Sequence, residues 1–392
     1  MRVLILHSRY LSGEVSGENR VVADETDLLR QGGHQVTVFD PEPTPAKTSS
    51  PIRLAVDAVW GIEAVARVRE LIREQHIEVV HIHNMFPMLS PAVIRVAHEE
   101  HVAIVVTLHN YRLMCLPATL RREGAICEDC LGHVPWRGIR HRCYRNSRAA
   151  SAVLAASLTL HRGLGTFDRV DRFFAVSDFV ADKHAEAGIR RSRILYKPNF
   201  VPKATERQGP GQYFLYLGRL AEEKGVDTLV RAWRDVPGQL LVVGDGPMAE
   251  QLRQLAPSNV TFGGQVPNAE VPEILRLARA LLVPSQWYEG APRGIAEACS
   301  VGVPSLVGRI GGLPEMVEHG VSGFHVTADD PIAWAETATS LMDDDLSIRL
   351  GQGALRLWAR EYAPEAGLRN LESGYAAAVQ SSRRRLDLGS PS

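Results

Sequence analysis

Short apolar runs alternate with helix-patterned segments along this chain, and the alternation stops once and starts again. Val3–Leu6, Val36–Phe39, Val79–His83, Ile104–Leu108, Phe173–Ser177 and Arg193–Tyr196 form the first series. Phe214–Gly218, Leu240–Gly244, Val260–Phe262, Ala280–Ser285 and Pro304–Gly308 form the second. Strands that alternate with helices form a parallel sheet covered on both faces. Between the series, Pro198 to Gly211 carries three prolines and two glycines, which reads as a hinge. The expectation is an α/β protein of two doubly wound, Rossmann-like domains, 1–200 and 201–362. A helix within 363–380 should pack back on the first domain, and 381–392 should be a disordered tail. Ligands of such sheets sit beyond the carboxyl ends of the strands, so a cleft between the domains is the expected site.

Composition narrows the function classes. The 392 residues suit two domains. The 44 basic and 45 acidic residues nearly cancel, which leaves no global field for nucleic acid. Only five of the basic residues are lysine, so each lysine is more informative than usual. Met1–His7 reads as a strand and not as a secretion signal. The uncharged stretch Ala149–Leu160 is twelve residues long, short of the roughly 20 needed to span a bilayer. A cytoplasmic protein is expected, with its five cysteines as thiols and not disulfides.

The segment Trp287–Glu297 carries the most chemistry. It follows a strand, and Pro292 stands where a helix would begin. Backbone N–H groups at such a helix start favour anions. Glu289 and Glu297 flank that position. Carboxylates would repel bound phosphate unless they turn to sugar hydroxyls, whose hydrogen bonds they accept. Taken alone, an exposed helix residue and a loop charge are the simpler reading.

The surroundings change that balance. The E-x₇-E spacing of Glu289 and Glu297 is followed by Gly302-Val303-Pro304, Gly311-Gly312-Leu313-Pro314-Glu315 and Gly320-Val321-Ser322-Gly323-Phe324. Upstream stand Leu217-Gly218-Arg219 with Lys224-Gly225, then Val243 to Pro247, then Phe262 to Val266. In this order the motifs resemble the nucleotide-binding half of family 4 retaining glycosyltransferases, which have the GT-B fold of two facing Rossmann-like domains.

The resemblance implies roles. Arg219 and Lys224 match the basic pair that grips the donor diphosphate. The leaving diphosphate gains charge as the glycosidic bond breaks, so cations there stabilise the transition state more than the ground state. Glu297 matches the residue that holds the ribose, and Glu289 the one that holds donor-sugar hydroxyls. Gly290, Ala291, Arg293 and Gly294 match contacts to sugar and phosphate, and Val266 a backbone contact to the base. Where Ala291 stands, many relatives carry an aromatic residue, which leaves the donor sugar open.

The first half is less regular. Gly13 and Gly17 match a glycine-rich loop facing the diphosphate and the acceptor; a flexible turn is the plain alternative. They do not make a G-x-G-x-x-G dinucleotide fingerprint. His109 ends a strand and matches a family histidine near the reacting carbon and the acceptor; the alternative is a loop histidine with its bonds satisfied. His81 and His83 alternate on one strand and read as structural. Asp343-Asp344-Asp345 reads as a helix N-cap and not as a metal motif.

One feature lies outside the family pattern. Cys115, Cys127, Cys130 and Cys143 follow C-x₁₁-C-x₂-C-x₁₂-C in an insertion at about 112–148. Four cysteines with a C-x₂-C pair suit one structural zinc, with His133 and His141 as substitute ligands. An iron–sulfur cluster, a redox pair or separate thiols are the alternatives. The insertion is also arginine-rich, which suits an anionic acceptor, an anionic membrane bearing a lipid-linked acceptor, or simply solvent.

The resemblance implies a retaining glycosyltransferase that moves a sugar from a nucleoside diphosphate sugar to a hydroxyl acceptor, with no cofactor for catalysis and no metal on the diphosphate. The rival readings are a sugar-nucleotide epimerase of the same fold and a non-catalytic sugar-nucleotide-binding or zinc-stapled scaffold.

Overall fold

The computed structural model describes residues 1–9, 17–41 and 51–389. It divides into two compact units. The first comprises Met1–Arg122, Cys127–Lys197 and the chain from Leu368 onward, and the second comprises Glu123–Ile126 and Pro198–Gly367.

In the first unit, β1 (Arg2–His7), β2 (Gln35–Phe39), β3 (Val79–Asn84) and β4 (Ala103–Leu108) are followed along the chain by two two-residue strands, β5 (Arg121–Arg122) and β6 (Ala125–Ile126), of which β6 belongs to the second unit. β7 (Arg172–Ala175) and β8 (Ile194–Tyr196) complete a six-stranded sheet of order β2-β1-β3-β4-β7-β8. Neighbouring strands run parallel throughout. Every residue of β3 and β4 is buried, as expected of central strands with helices on both faces. That burial extends to polar groups: His81, His83 and Thr107 lie inside.

In the second unit, β9 (Tyr213–Leu217), β10 (Leu240–Val243), β11 (Val260–Gly264), β12 (Ala278–Val283), β13 (Ser305–Gly308) and β14 (Gly323–Val326) form a second parallel sheet. Its order is β11-β10-β9-β12-β13-β14. β9 feeds β10 on one side and receives β12 on the other, so the winding reverses between β9 and β12. Two apolar layers cover its faces, one around Ile295, Val301, Leu313 and Tyr362, the other around Trp233, Leu240, Trp334 and Leu350. β14 is a strand that the sequence reading does not contain. Its Gly-Phe-His-Val is too short and too glycine-led to show a strand period.

The C-terminal helix runs from Pro364 to Gly389. The expected disordered tail from Ser381 is therefore corrected, since 381–389 are helical. Tyr375, Ala378 and Ser382 lie three to four residues apart and are all buried, so the stripe that anchors the helix continues past residue 380. Arg385 then donates to Asp171 at 2.8 Å, which ties the last turns down. Arg383 and Arg384, beside it, are exposed on the polar side of this helix.

Candidate functional site

The reversal of strand order between β9 and β12 leaves the loops beyond their carboxyl ends side by side. These loops bear the residues that the sequence singles out. β9 leads through Gly218 and Arg219 to Lys224, and β12 leads through Ser285 to Glu289.

Lys224 donates to Glu289 Oε1 at 2.6 Å, and the Ser285 hydroxyl donates to the same oxygen at 2.8 Å. Lys224 also sits over the Trp287 ring, 5.2 Å from its centroid. Glu289 is only 7% exposed. Burial pushes its carboxyl up, but Lys224 above all, then Trp287 and Ser285, more than offset this and bring it below the ordinary value. It is an anion at neutral pH.

The backbone that holds this pair is tightly specified. Gly225 adopts φ 66°, and an added Cβ would strike the carbonyl of Pro284. Gly311 adopts φ 59° and lies against the backbone of Tyr288 and Glu289. Gly312 N–H donates to the Glu289 carbonyl at 2.8 Å. The glycines of these motifs thus fix where Glu289 stands. Arg219 is exposed and pairs with Glu223, while the Tyr216 hydroxyl donates to its carbonyl at 2.8 Å.

Pro292 caps the helix Arg293–Ser300. Arg293 donates to Glu297 at 2.7 Å, one turn further on. Gly290 and Ala291 are half-buried ahead of it, and the Asn199 amide reaches the Ala291 carbonyl at 3.4 Å. Nothing approaches the Cβ position of Gly294 closer than a Leu281 methyl at 3.8 Å. Val266 is half-buried beyond β11 and packs on the apolar layer below.

In the first unit, Gly17 opens the helix Gly17–Gln31, while Gly13 lies outside the described residues. His109 stands one residue past β4, half-buried, beside a pocket lined also by His83, Asn84, Met85, Arg112 and Leu113. Burial, then Lys197 and His7, hold its imidazole well below the usual histidine range, so it is neutral. His83 Nδ1 and His109 Nε2 are 2.9 Å apart. Ser177 caps the helix Asp178–Glu186, and Asp343 caps Asp344–Leu357 by accepting from Leu346 N–H.

The sequence reading does not contain Glu25 or Lys197, which pair deep inside the first unit. A signal for Glu25 exists. It stands within the buried stripe Val21, Val22, Thr26, Leu28 and Leu29, where a carboxylate needs a partner.

Among the described residues, Glu25, His81 and His83 form the one group of three metal-capable side chains with all ligand atoms within 4.8 Å of one another. Lys197 already neutralises Glu25, and His81 uses both nitrogens on Tyr375 and Thr107. This is a hydrogen-bonded cluster and not an ion cage. Cys115, Cys127, Cys130 and Cys143 are not part of that group, and none of them forms a disulfide; Cys115 is buried and the other three are half-buried. Burial pushes the Cys115 thiol up to about 11, although backbone bonds from Leu120, Thr119 and Ala118 act the other way. Burial also raises Cys130, opposed by a bond from Gly138.

With this geometry in place, similarity to known proteins identifies the family. Residues 15–204 match the family described as Glycosyltransferase Family 4, and residues 199–356 that described as Glycosyl transferases group 1. A GDP-mannose-dependent alpha-(1-6)-phosphatidylinositol monomannoside mannosyltransferase of Mycobacterium tuberculosis is 34% identical over 318 residues, 74% of each chain. The chain belongs to glycosyltransferase family 4. Among solved structures, a glycosyltransferase of Rickettsia africae superposes with a TM-score of 0.68 at 14% identity, covering 97% of this chain and 98% of that one. Anabaena HepE in complex with UDP superposes with a TM-score of 0.65 at 18% identity, covering 95% and 99%. The family 4 glycosyltransferase therefore has the GT-B fold, as the motif order implies. No helix among its described residues is long and apolar enough to cross a membrane.

Proposed function

We propose that this glycosyltransferase transfers a sugar from a nucleoside diphosphate sugar to a hydroxyl acceptor with retention at the anomeric carbon. The observation that supports this reading most is the Lys224–Glu289 pair at the strand-order reversal between β9 and β12. In doubly wound sheets that reversal is where nucleotides bind.

On this reading Arg219 and Lys224 face the diphosphate and stabilise the charge that it gains on leaving. Glu289 accepts hydrogen bonds from donor-sugar hydroxyls, held as an anion by Lys224. Glu297, steadied by Arg293, accepts from the ribose hydroxyls. The N–H groups at the start of the helix Arg293–Ser300 add further donors toward the anion. The acceptor hydroxyl loses its proton to the departing phosphate on the same face, so no side chain needs to form a covalent intermediate. The charge stabilisation is assigned to the cationic side chains, with no divalent metal on the diphosphate.

The acceptor is anionic or lipid-linked on this reading. Arg137, Arg140, Arg142, Arg145 and Arg148 are exposed beside Val134 and Trp136, themselves exposed. Arginines next to an exposed tryptophan suit an anionic headgroup surface at the cytoplasmic face of a membrane. The mycobacterial relative named above acts on a phosphatidylinositol monomannoside, by its name, in keeping with this class.

The test is turnover of a panel of nucleotide sugars with phosphoglycolipid and soluble hydroxyl acceptors. The anomeric configuration is read by proton NMR at early times, with and without EDTA. Inverted product, or hydrolysis with no transfer to any hydroxyl, overturns the reading.

A further inference from the structure

Behind His109 lies a buried line of polar groups that neither the motifs nor the diphosphate site accounts for. Glu25, on the helix Gly17–Gln31, is wholly buried, and so is His83 on β3 apart from a few per cent. Lys197, just past β8, is 1% exposed and bonds one oxygen of Glu25, Oε1. The other oxygen, Oε2, has no hydrogen-bond partner, and neither has His83 Nε2. These two unpartnered atoms face each other at 3.6 Å. On its far side, His83 Nδ1 is 2.9 Å from His109 Nε2, with the two rings stacked at 22°.

Burial pushes the Glu25 carboxyl up, and the Lys197 ammonium bonded to Oε1 opposes this. With Glu25 as the carboxylate of that ion pair, protons can be placed on this line in one consistent way, and Oε2 is an acceptor only. A lone pair on His83 Nε2 would repel it across a dry gap, which is costly in a buried setting. His83 therefore carries its proton on Nε2. An imidazolium is disfavoured, because burial, then the neighbouring histidines and Lys197, depress His83 well below the ordinary histidine value. With Nε2 protonated, Nδ1 must accept, and the 2.9 Å bond requires His109 Nε2–H to donate. His109 is left with a lone pair on Nδ1.

We propose that Glu25 and His83 are positioning residues that fix the tautomer of His109, so that His109 Nδ1 accepts a hydrogen bond from a substrate hydroxyl. The role toward substrate rests on the transfer reading above; the tautomer itself does not. His81 takes no part, since Tyr375 at 2.8 Å and Thr107 at 2.7 Å occupy both of its nitrogens. His7 is turned to Asn19 at 2.8 Å.

The experiment reads imidazole nitrogen shifts in the full-length enzyme labelled with isotopic histidine, with His109 assigned by comparison with His109→Gln. In the wild type, His109 Nε2 should resonate as protonated nitrogen and Nδ1 as a lone-pair nitrogen. Glu25→Gln is the sharper case. Its amide accepts from Lys197 through oxygen and donates to His83 Nε2, which should reverse both tautomers and leave His109 protonated on Nδ1. His83→Leu cuts the line without touching the Glu25–Lys197 pair and should leave the two His109 nitrogens averaged. Both variants should lower kcat by roughly 10- to 100-fold, with donor KM changed less than about twofold, as for a lost proton-relay contact. A wild-type His109 protonated on Nδ1, or an unchanged tautomer in a folded Glu25→Gln enzyme, overturns the proposal, and so does a wild-type pattern in His83→Leu. Tautomers that follow the expectation while turnover stays unchanged support the line and remove His109 from the acceptor side.

Discussion

Lys224 Nζ lies 2.6 Å from Glu289 Oε1, joining the loop after β9 to the loop after β12. The carboxylate is the more buried partner, and it is also bonded by Ser285. Each residue thus has two tasks, one toward its partner and one toward the ligand proposed for the site.

Removing the cation separates those tasks. Lys224→Met should lower kcat on the order of 10²-fold, as for loss of an oxyanion donor. It should also cost on the order of 2 kcal/mol of stability, because Glu289 is left buried without its partner. The double variant Lys224→Met/Glu289→Gln should regain stability without regaining activity, which denaturant titration and initial rates test together. An unchanged kcat in Lys224→Met would remove the residue from the diphosphate.

The two carboxylates should divide the donor between them. Glu297→Ala is expected to weaken the bare nucleoside diphosphate and the sugar nucleotide alike, by about tenfold for each 1.4 kcal/mol lost. Glu289→Ala should leave the nucleoside diphosphate within about twofold while turnover collapses. Calorimetric titration of both ligands decides this, and equal losses of nucleoside diphosphate in the two variants would refute the division.

Gly225 is expected to tolerate no side chain. Its φ of 66° and the nearby Pro284 carbonyl leave no room for a Cβ. Gly225→Ala should cost roughly 2 kcal/mol or more and lower the urea midpoint with an unchanged slope. A wild-type midpoint would show that the turn relaxes.

Acid should destabilise the protein earlier than its carboxylates alone would. His81, His83, His109 and His184 are held below the ordinary histidine value chiefly by burial, His184 at about 4. Histidines with a depressed folded pKa stay neutral in the native state, while the unfolded chain takes up protons below about pH 6.5. Stability should therefore fall from pH 6.5 toward 4. His184→Leu should reduce that slope by about 1.4 kcal/mol per pH unit, one proton's share. Denaturant midpoints from pH 7 to 4.5 measure it, and an unchanged slope would count against the neutral His184.

Metal analysis should settle the cysteine insertion. The spacing supports a zinc site, as do the backbone bonds to Cys115 and Cys130. We propose that the four thiols hold one zinc ion. Protein purified without added metal should then carry about one zinc per chain, released on thiol modification. Metal-free protein with Cys127, Cys130 and Cys143 all reactive would end the proposal.

The sequence by itself determined the two parallel sheets, because buried strands must be apolar runs and their crossovers must be helices. Through the resemblance of its motif order to family 4 it also singled out Arg219, Lys224 and Glu289, which stand on the loops after β9 and β12, and Glu297, on the helix that follows. The tertiary structure alone decided which charges meet. Lys224 and Glu289 are 65 residues apart, and Glu25 and Lys197 are 172 apart. Neither pair leaves a local period, because an ion pair needs only two side chains brought together by strand order. The C-terminal helix was missed past residue 380 for the same reason. Its polar composition reads as solvated, and only the wall formed by Asp171 and the neighbouring core shows what Ser382 and Arg385 are bound to.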